Sequence, residues 1–501
     1  MSTAAEPRKK ARKPLLSRVP ASFVQAVLKG HSSLGLAFAA AIYLICLTGS
    51  VAVFTTEFQR WEYAGAPVLE TASPQAAQNS LNAAVARVGE VEHAYIRMPA
   101  PDMPYLSVSA ETPDGTKLWL ADGEGALTTE GQSPWTEFIT RLHINLHLPQ
   151  TWGVFLVGMA GVALLSSLIS GVLAHPRIFR DAFHLRLGGS KRLQEADLHN
   201  RIGIWALPFH IIVSLTGALL GLTTLIVGVL GMALFQGDVS KVYDLFIPAE
   251  PVDDPRPAPV IDLLPMFAHI KSVSPEGRVG LVMLEHPAEM GGAAMFNVQS
   301  DSGRLADTDT YAFGRDGKAY YTKLASDNNL GEDILASLSR LHFGWFGGGL
   351  VKIAYALLGL GMTYLAASGV TIWLARRRDK RNASPGWEKV WAAVIWGQPA
   401  ALALAALAAA LSGAIAVQVL IAIWGAVTVA ALIAARWLSP HLLAHWLLLV
   451  AGGALALTAT AHLVLRGWSD PVALAVDAVF ALLGGGLIWW AARRNSAVTP
   501  V

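Results

Sequence analysis

The chain has 501 residues, of which 53% are hydrophobic and only 15% charged, and its formal net charge is +2. A chain this long and this apolar belongs in a lipid bilayer rather than in water. The small net charge gives no footing for a nucleic-acid partner, and the lone Cys46 rules out an internal disulfide.

Residues 1–30 form a basic tail containing PRKKARK, and a first membrane helix is expected over 31–55. Its length, and the lack of a small-residue cleavage site, mark a retained span rather than a removable signal peptide. The polar stretch 56–138 contains PYLSVSAE and PDGTKLWLADGEGAL, two alternating runs about an Asp-Gly turn, which predict a β-hairpin. Helix 2 is expected over 139–175, a basic cytoplasmic loop over 176–198 and helix 3 over 199–235. A second polar stretch, 236–338, carries the strand patterns GRVGLVMLEHP, AAMFNVQSDSGRL and TYAFGRDGKAYYTK. TASPQAAQNS and VDDPRPAPV read as linkers. Helix 4 follows over 339–376, a cytoplasmic linker over 377–388, four further helices over 389–494 and a tail over 495–501.

The fold class is therefore an all-α polytopic membrane protein of about eight helices, each apolar run covering a hydrocarbon core of roughly 30 Å. Two small α+β outer domains, each with an antiparallel sheet, interrupt it. Lys and Arg cluster before helix 1 and after helices 2, 4, 6 and 8. That asymmetry predicts an inner-membrane orientation with both termini cytoplasmic and both domains periplasmic.

An internal repeat organises the first 380 residues. HSSLGLAFAAAIYLICLTGS begins at His31 and HNRIGIWALPFHIIVSLTGA at His199; each has Gly four residues later (Gly35, Gly203) and reaches Thr-Gly (Thr48-Gly49, Thr216-Gly217). Arg-Leu-His precedes helices 2 and 4 (Arg141 to His143, Arg340 to His342), and Ser-Gly-Val recurs at their inner ends (Ser170 to Val172, Ser368 to Val370). Helix, outer domain, helix thus occurs twice, about a pseudo-two-fold axis along the membrane normal.

Ionisable side chains in membrane helices face the bundle interior and mark function. Symmetry pairs His31 with His199 near the inner face and His143 with His342 near the outer face, each opening its helix. Facing imidazoles in a four-helix core suit haem iron clamped from both sides, so two haems are expected. Gly35 and Gly203 leave room for a porphyrin edge one turn beyond their histidines. Arg141 and Arg340 fit either outer haem propionates or ordinary interfacial anchoring. His147, His175 and His210 lack symmetric counterparts and stand as alternative ligands. His210, eleven residues beyond His199, is expected roughly 16 Å deeper on almost the same helix face, placed for an internal ligand or a proton relay. His441, His445 and His462 read as interfacial residues of an accessory bundle rich in small residues, where Asp477 is the clear intramembrane carboxylate.

These His-started helices, the LTGS-like ends and the RLH motifs resemble the PepSY-associated transmembrane family over roughly residues 20–380. The resemblance, which extends to bacterial inner-membrane ferric-siderophore reductases, implies two b-type haems with His31, His199, His143 and His342 as axial ligands. It implies a haem-dependent oxidoreductase without a catalytic acid, base or nucleophile. The inner loops are too short for a nicotinamide or flavin domain, and no dinucleotide or P-loop motif is present, so the expected donor is a quinol or a separate reductase. A ferric siderophore or other periplasmic acceptor would take the electron. The competing classes are a transporter or permease of iron-related small molecules and a membrane-anchored PepSY binding or regulatory protein.

Overall fold

The computed structural model describes residues 20–113, 115–175, 190–243, 245, 254–300 and 303–496. The basic tail up to residue 19, the basic loop 176–189, the start of VDDPRPAPV and the C-terminal 497–501 lie outside them. In the first half, α1 (Ala21–Ala52) is followed by α2 (Thr55–Glu62), α3 (Pro74–Val88), α4 (Pro134–Asn145) and α5 (Gln150–Leu173). The second half comprises α6 (Lys191–Trp205), α7 (Leu207–Gly221), α8 (Thr223–Leu234), α9 (Ser240–Tyr243), α10 (Leu264–Val273), α11 (Leu330–Phe343) and α12 (Gly348–Asp379). Four more helices complete the chain: α13 (Pro385–Ser412), α14 (Val417–Ala434), α15 (Pro440–Arg466) and α16 (Pro471–Ser496).

Seven of these are long and apolar enough to cross a membrane, and α6 with α7 makes an eighth span if the bent pair is counted as one. The expected straight helix over 199–235 is thus corrected: it turns by 71° between α6 and α7 and breaks again at Leu222. Pro208, in the first turn of α7, explains the first break. It has no N–H to continue the ladder, and its ring collides with the carbonyl four residues back. The same bend removes the shared helix face assumed for His199 and His210.

Strands β1 (His93–Arg97), β2 (Leu106–Thr112), β3 (Gly115–Ala121) and β4 (Leu127–Glu130) come from the first polar stretch. The second supplies β5 (Arg278–Glu285), β6 (Ala293–Gln299), β7 (Thr308–Gly314) and β8 (Ala319–Lys323). The hairpin expected about Asp-Gly is β2–β3, with Thr112 opposite Gly115. Rather than two separate sheets, the strands make one antiparallel sheet, ordered β4-β3-β2-β1-β5-β6-β7-β8. Its seam is the β1–β5 pair, with Ala94 opposite Leu284 and Ile96 opposite Val282. These four side chains are buried, together with Leu81 of α3 and Met266 of α10. Burying the Leu, Ile, Val and Met side chains among these contributes roughly 1.5–3 kcal/mol each, which locks the two halves together.

TASPQAAQNS is not a linker but the start of α3. Ser73 Oγ accepts from the Ala76 N–H at 3.0 Å, Pro74 fills the first turn, and Ala76, Ala77 and Leu81 bury against the sheet. An N-cap serine followed by proline starts a helix whatever its mean polarity. The described part of VDDPRPAPV touches the sheet through a bridge from Pro257 to Glu289.

In the membrane region α1 packs on α5 and α12, α5 on α7, and α6 on α12, closing a four-helix core. Helices α13 to α16 form the accessory bundle, with α15 packed between α13 and α16 and α14 against α13. Gly452 and Gly484 bring α15 and α16 into backbone contact: a Cβ on either would lie 2.7 Å from the other's carbonyl oxygen.

The short helix α2 ties these bodies together through a buried polar cluster. Arg60 grips Asp470 through two hydrogen bonds of 3.0 and 2.9 Å, and Tyr105 of the sheet region donates to the same carboxylate. Trp61 Nε1 donates to Asp477 at 2.9 Å, while His462 bonds Asp477 through Nδ1 and the Trp61 carbonyl through Nε2, both at 2.8 Å. Glu57 pairs with Lys352 at 2.7 Å. Glu62 caps α4, accepting from the Trp135 and Thr136 N–H groups at 2.7 and 3.0 Å and from the Thr136 hydroxyl at 2.7 Å. His462 and Asp477 are thus buried partners of one another.

Candidate functional site: two histidine pairs in a duplicated core

None of the four histidines opens its helix: His31 lies within α1 and His199 within α6, while His143 and His342 precede their spans altogether. The latter two sit in the last turns of α4 and α11, two short helices on the sheet side. Left-handed Leu146 and His147 (φ 55° and 53°) end the first, and left-handed Gly344 (φ 70°) ends the second. These turns bring the two imidazoles over the sheet-side end of the core, called outer below and the opposite end inner, with ring centroids 6.2 Å apart and planes 20° apart. Two imidazoles ligating one iron from opposite sides, with bonds of about 2.0 Å, have centroids separated by roughly 6 Å.

The role of the repeated dipeptides now becomes visible. His143 Nδ1 donates to the Ile45 carbonyl at 3.0 Å, with Thr48 Oγ1 at 3.5 Å, and its ring lies over Gly49. His342 Nδ1 stands 3.1 Å from Thr216 Oγ1, with its ring over Gly217. At the opposite end His31 Nδ1 donates to the Ser167 carbonyl at 2.9 Å, beside Ser170 Oγ at 3.2 Å, with Gly171 against the ring. His199 Nδ1 stands 2.8 Å from Ser368 Oγ and its ring faces Gly369. Each histidine rests on a hydroxyl–glycine pair of a neighbouring helix.

The hydroxyls also decide the tautomers. A carbonyl only accepts, so His31 and His143 carry their proton on Nδ1. Ser368 donates its own hydrogen to the Tyr364 carbonyl at 2.7 Å, and Thr216 donates to the Ile212 carbonyl at 2.7 Å. Both hydroxyl oxygens are left to accept from the imidazoles. All four rings therefore present an unprotonated Nε2, the form that ligates a metal, and the bonded Nδ1 fixes ring orientation and raises basicity.

Two cavities lie beside these pairs. The outer, of about 440 Å³, is lined by His143, His342, Gly49 and Gly217, and the inner, of about 400 Å³, by His31, His199, Gly35 and Gly203. Both fall in the range of cofactor pockets. Ile42 and Leu164 line both, so a single layer of side chains separates them. A Cβ on Gly35 would meet nothing within 4 Å, and one on Gly203 only Leu365 at 3.9 Å. Side chains at these two positions would project into the inner cavity. The outer pair, at this spacing beside an apolar cavity, fits a flat apolar macrocycle held between two imidazoles, and the inner cavity offers a second pair of histidines beside open space at Gly35 and Gly203.

The remaining candidates are dispersed. His175 lines the inner cavity, its Nδ1 3.1 Å from the Gly171 carbonyl. His147 turns away, bonding the Phe138 carbonyl through Nε2 at 3.0 Å and stacking on that ring. His210 is fully buried against α12, with Nε2 3.4 Å from the Leu358 carbonyl. Arg141 pairs with Glu137 at 3.0 Å, and Arg340 pairs with Asp307. Neither arginine lines either of these two cavities. Sequence reasoning missed the cradles, although their signal was present: Thr-Gly and Ser-Gly recur at matched offsets from the histidines.

A duplicated helical core with two internal histidine pairs and a shared sheet on one side defines a polytopic membrane protein of one family. Residues 28–376 match the PepSY-associated TM region, and the chain belongs to that family. It is similar to an uncharacterized protein of Pseudomonas aeruginosa, 31% identical over 396 residues, covering 73% of this chain and 97% of the relative.

Proposed function

We propose that this chain is a two-haem electron-transfer protein of the bacterial inner membrane that passes electrons to an acceptor on the sheet side, reducing chelated ferric iron. One observation carries the reading: four imidazoles, in two pairs at opposite ends of one core, each with Nδ1 bonded to a neighbouring helix and Nε2 left to ligate. Duplicated helices also occur in transporters, but neither transport nor anchoring calls for four imidazoles held in one ligating tautomer.

Bound iron porphyrin would supply a reversible one-electron centre at each level. His31 and His199 would hold the inner group, and His143 and His342 the outer. The hydroxyl–glycine cradles keep the rings aimed and in the ligating tautomer. The apolar layer containing Ile42 and Leu164 holds the two sites apart while excluding water. The donor is a quinol or a separate reductase. A ferric siderophore fits as acceptor because ferrous iron is held more weakly by hard oxygen ligands, so one electron releases the metal.

The test is anaerobic. Protein reduced with dithionite and freed of excess reductant is mixed with a ferric hydroxamate and a ferrous chelator. Bleaching of the reduced α-bands with matching Fe(II) release supports the proposal. Bands that persist across several ferric chelates overturn the acceptor assignment.

A further inference from the structure

The two cavities differ in one respect that the repeat does not explain. Among the described residues no Arg or Lys lines the outer cavity, whereas Arg192 and Arg376 both line the inner one. Arg192 lies seven residues before His199 on α6, and Arg376 seven residues after Gly369 on α12. Seven residues are two helical turns, so each guanidinium shares a helix face with its half of the His199 site, roughly 10 Å further toward the terminal end. In the first repeat the corresponding positions are Val24 and Ile178, so these cations belong to the second repeat alone.

Their partners sharpen the point. Arg141 and Arg340, on the sheet side, are already taken by Glu137 and Asp307. Arg192 spends Nε on Asp379 at 2.7 Å, a bond that also ties the start of α6 to the end of α12. Arg376 makes no ion pair among the described residues, yet it borders an otherwise largely apolar space. An apolar cavity with guanidinium groups at one end and ligating imidazoles along its wall fits an amphiphilic planar ligand bearing carboxylates. From this placement we infer that Arg192 and Arg376 bind the propionates of the inner haem, and that the outer haem site has no such cationic partner.

This inference rests on the two-haem reading but fails separately from it. Arg192→Gln, Arg376→Gln, the double variant and Arg376→Lys are purified and titrated potentiometrically; the inner transition is the one lost in His31→Ala. Removing a positive charge favours the ferric state, so the inner midpoint should fall in the Gln variants and stay near wild type in Arg376→Lys. Each charge-assisted bond lost should weaken inner-haem retention by roughly tenfold or more. The outer transition should not move. Wild-type apoprotein reconstituted with a haem esterified at both propionates provides a second measurement independent of variant folding. The ester should bind the inner site more weakly than haem while binding the outer site with little change. Two unshifted transitions in the double variant, or equal inner-site affinity for ester and acid, overturn the assignment. So does a dependence of the arginine variants on added anionic lipid with potentials unchanged, which would reassign these cations to headgroups. Wild-type protein devoid of porphyrin would instead defeat the two-haem reading itself.

Discussion

A methyl group is a sensitive probe of the outer pair. In Gly49→Ala the new Cβ would stand 2.6 Å from Cε1 and 3.1 Å from Nδ1 of His143. Comfortable carbon–carbon contact begins near 3.5 Å, so the ring must retreat by roughly 0.9 Å. A metal–imidazole bond tolerates only about 0.2 Å of error. Retreat also strains the 3.0 Å bond from Nδ1 to the Ile45 carbonyl. Overpacking of this kind costs about 1–3 kcal/mol, but alanine regains about 1 kcal/mol of helix propensity, so the chain should still fold. The assay is low-temperature electron paramagnetic resonance with optical spectra of the purified variant. One low-spin ferric signal should be lost or become high-spin while the other is retained. Gly425→Ala, where a Cβ meets nothing within 4 Å, serves as the silent control. Unchanged low-spin signals in a folded Gly49→Ala protein would refute the cradle argument.

Other perturbations separate the elements of the site. Gly35→Val adds a side chain where nothing lies within 4 Å, so it should lower inner-haem content while leaving the thermal midpoint of the haem-free protein unchanged; a full complement of both haems would contradict the role given to that space. His462→Leu strands the buried Asp477 with Trp61 as its remaining partner, and removing one member of a buried pair costs about 3–5 kcal/mol. The melting temperature should drop while the folded fraction keeps both haem spectra; loss of a haem would mean that His462 acts on the cofactor. Burial pushes the Glu62 carboxyl up to about 7 from an ordinary 4.5, against the opposing effect of its bonds to Thr136 and Trp135. With the folded value raised, its stabilising contribution is complete below about 4.5 and is lost as pH rises through about 7. Thermal midpoints measured from about pH 5 to about pH 8 should therefore fall more steeply for wild type than for Glu62→Gln. Parallel profiles would show that the carboxyl does not titrate in this range.

Much of this architecture is legible in the sequence because bilayer spans and repeats are long-range, redundant signals. The apolar runs, the β2–β3 hairpin and the symmetric placement of His31, His143, His199 and His342 all follow from periodicity and offset. What escapes is local or tertiary. Pro208 bends a span whose hydropathy is continuous, because hydropathy does not register the loss of one N–H. The β1–β5 seam joins strands separated by nearly 190 residues, and nothing in either alternating pattern names its partner. Ser73 and Pro74 read as breakers until the buried alanines that follow are seen to need a helix. The cradles were half visible: the repeat displayed Thr48-Gly49 and Ser368-Gly369, but only packing between helices reveals that each receives an imidazole from another element. Arg192 and Arg376 were hidden for the opposite reason, as two members of the basic clusters that flank the apolar spans.

The most direct measurement is the porphyrin content of the purified chain, read as pyridine haemochrome per polypeptide in wild type and in the four single His→Ala variants. Two haems are expected per wild-type chain and one in each variant, with His31 and His199 affecting one spectral component and His143 and His342 the other. A wild-type chain without haem, or variants whose losses do not sort into those two pairs, would contradict the two-haem reading.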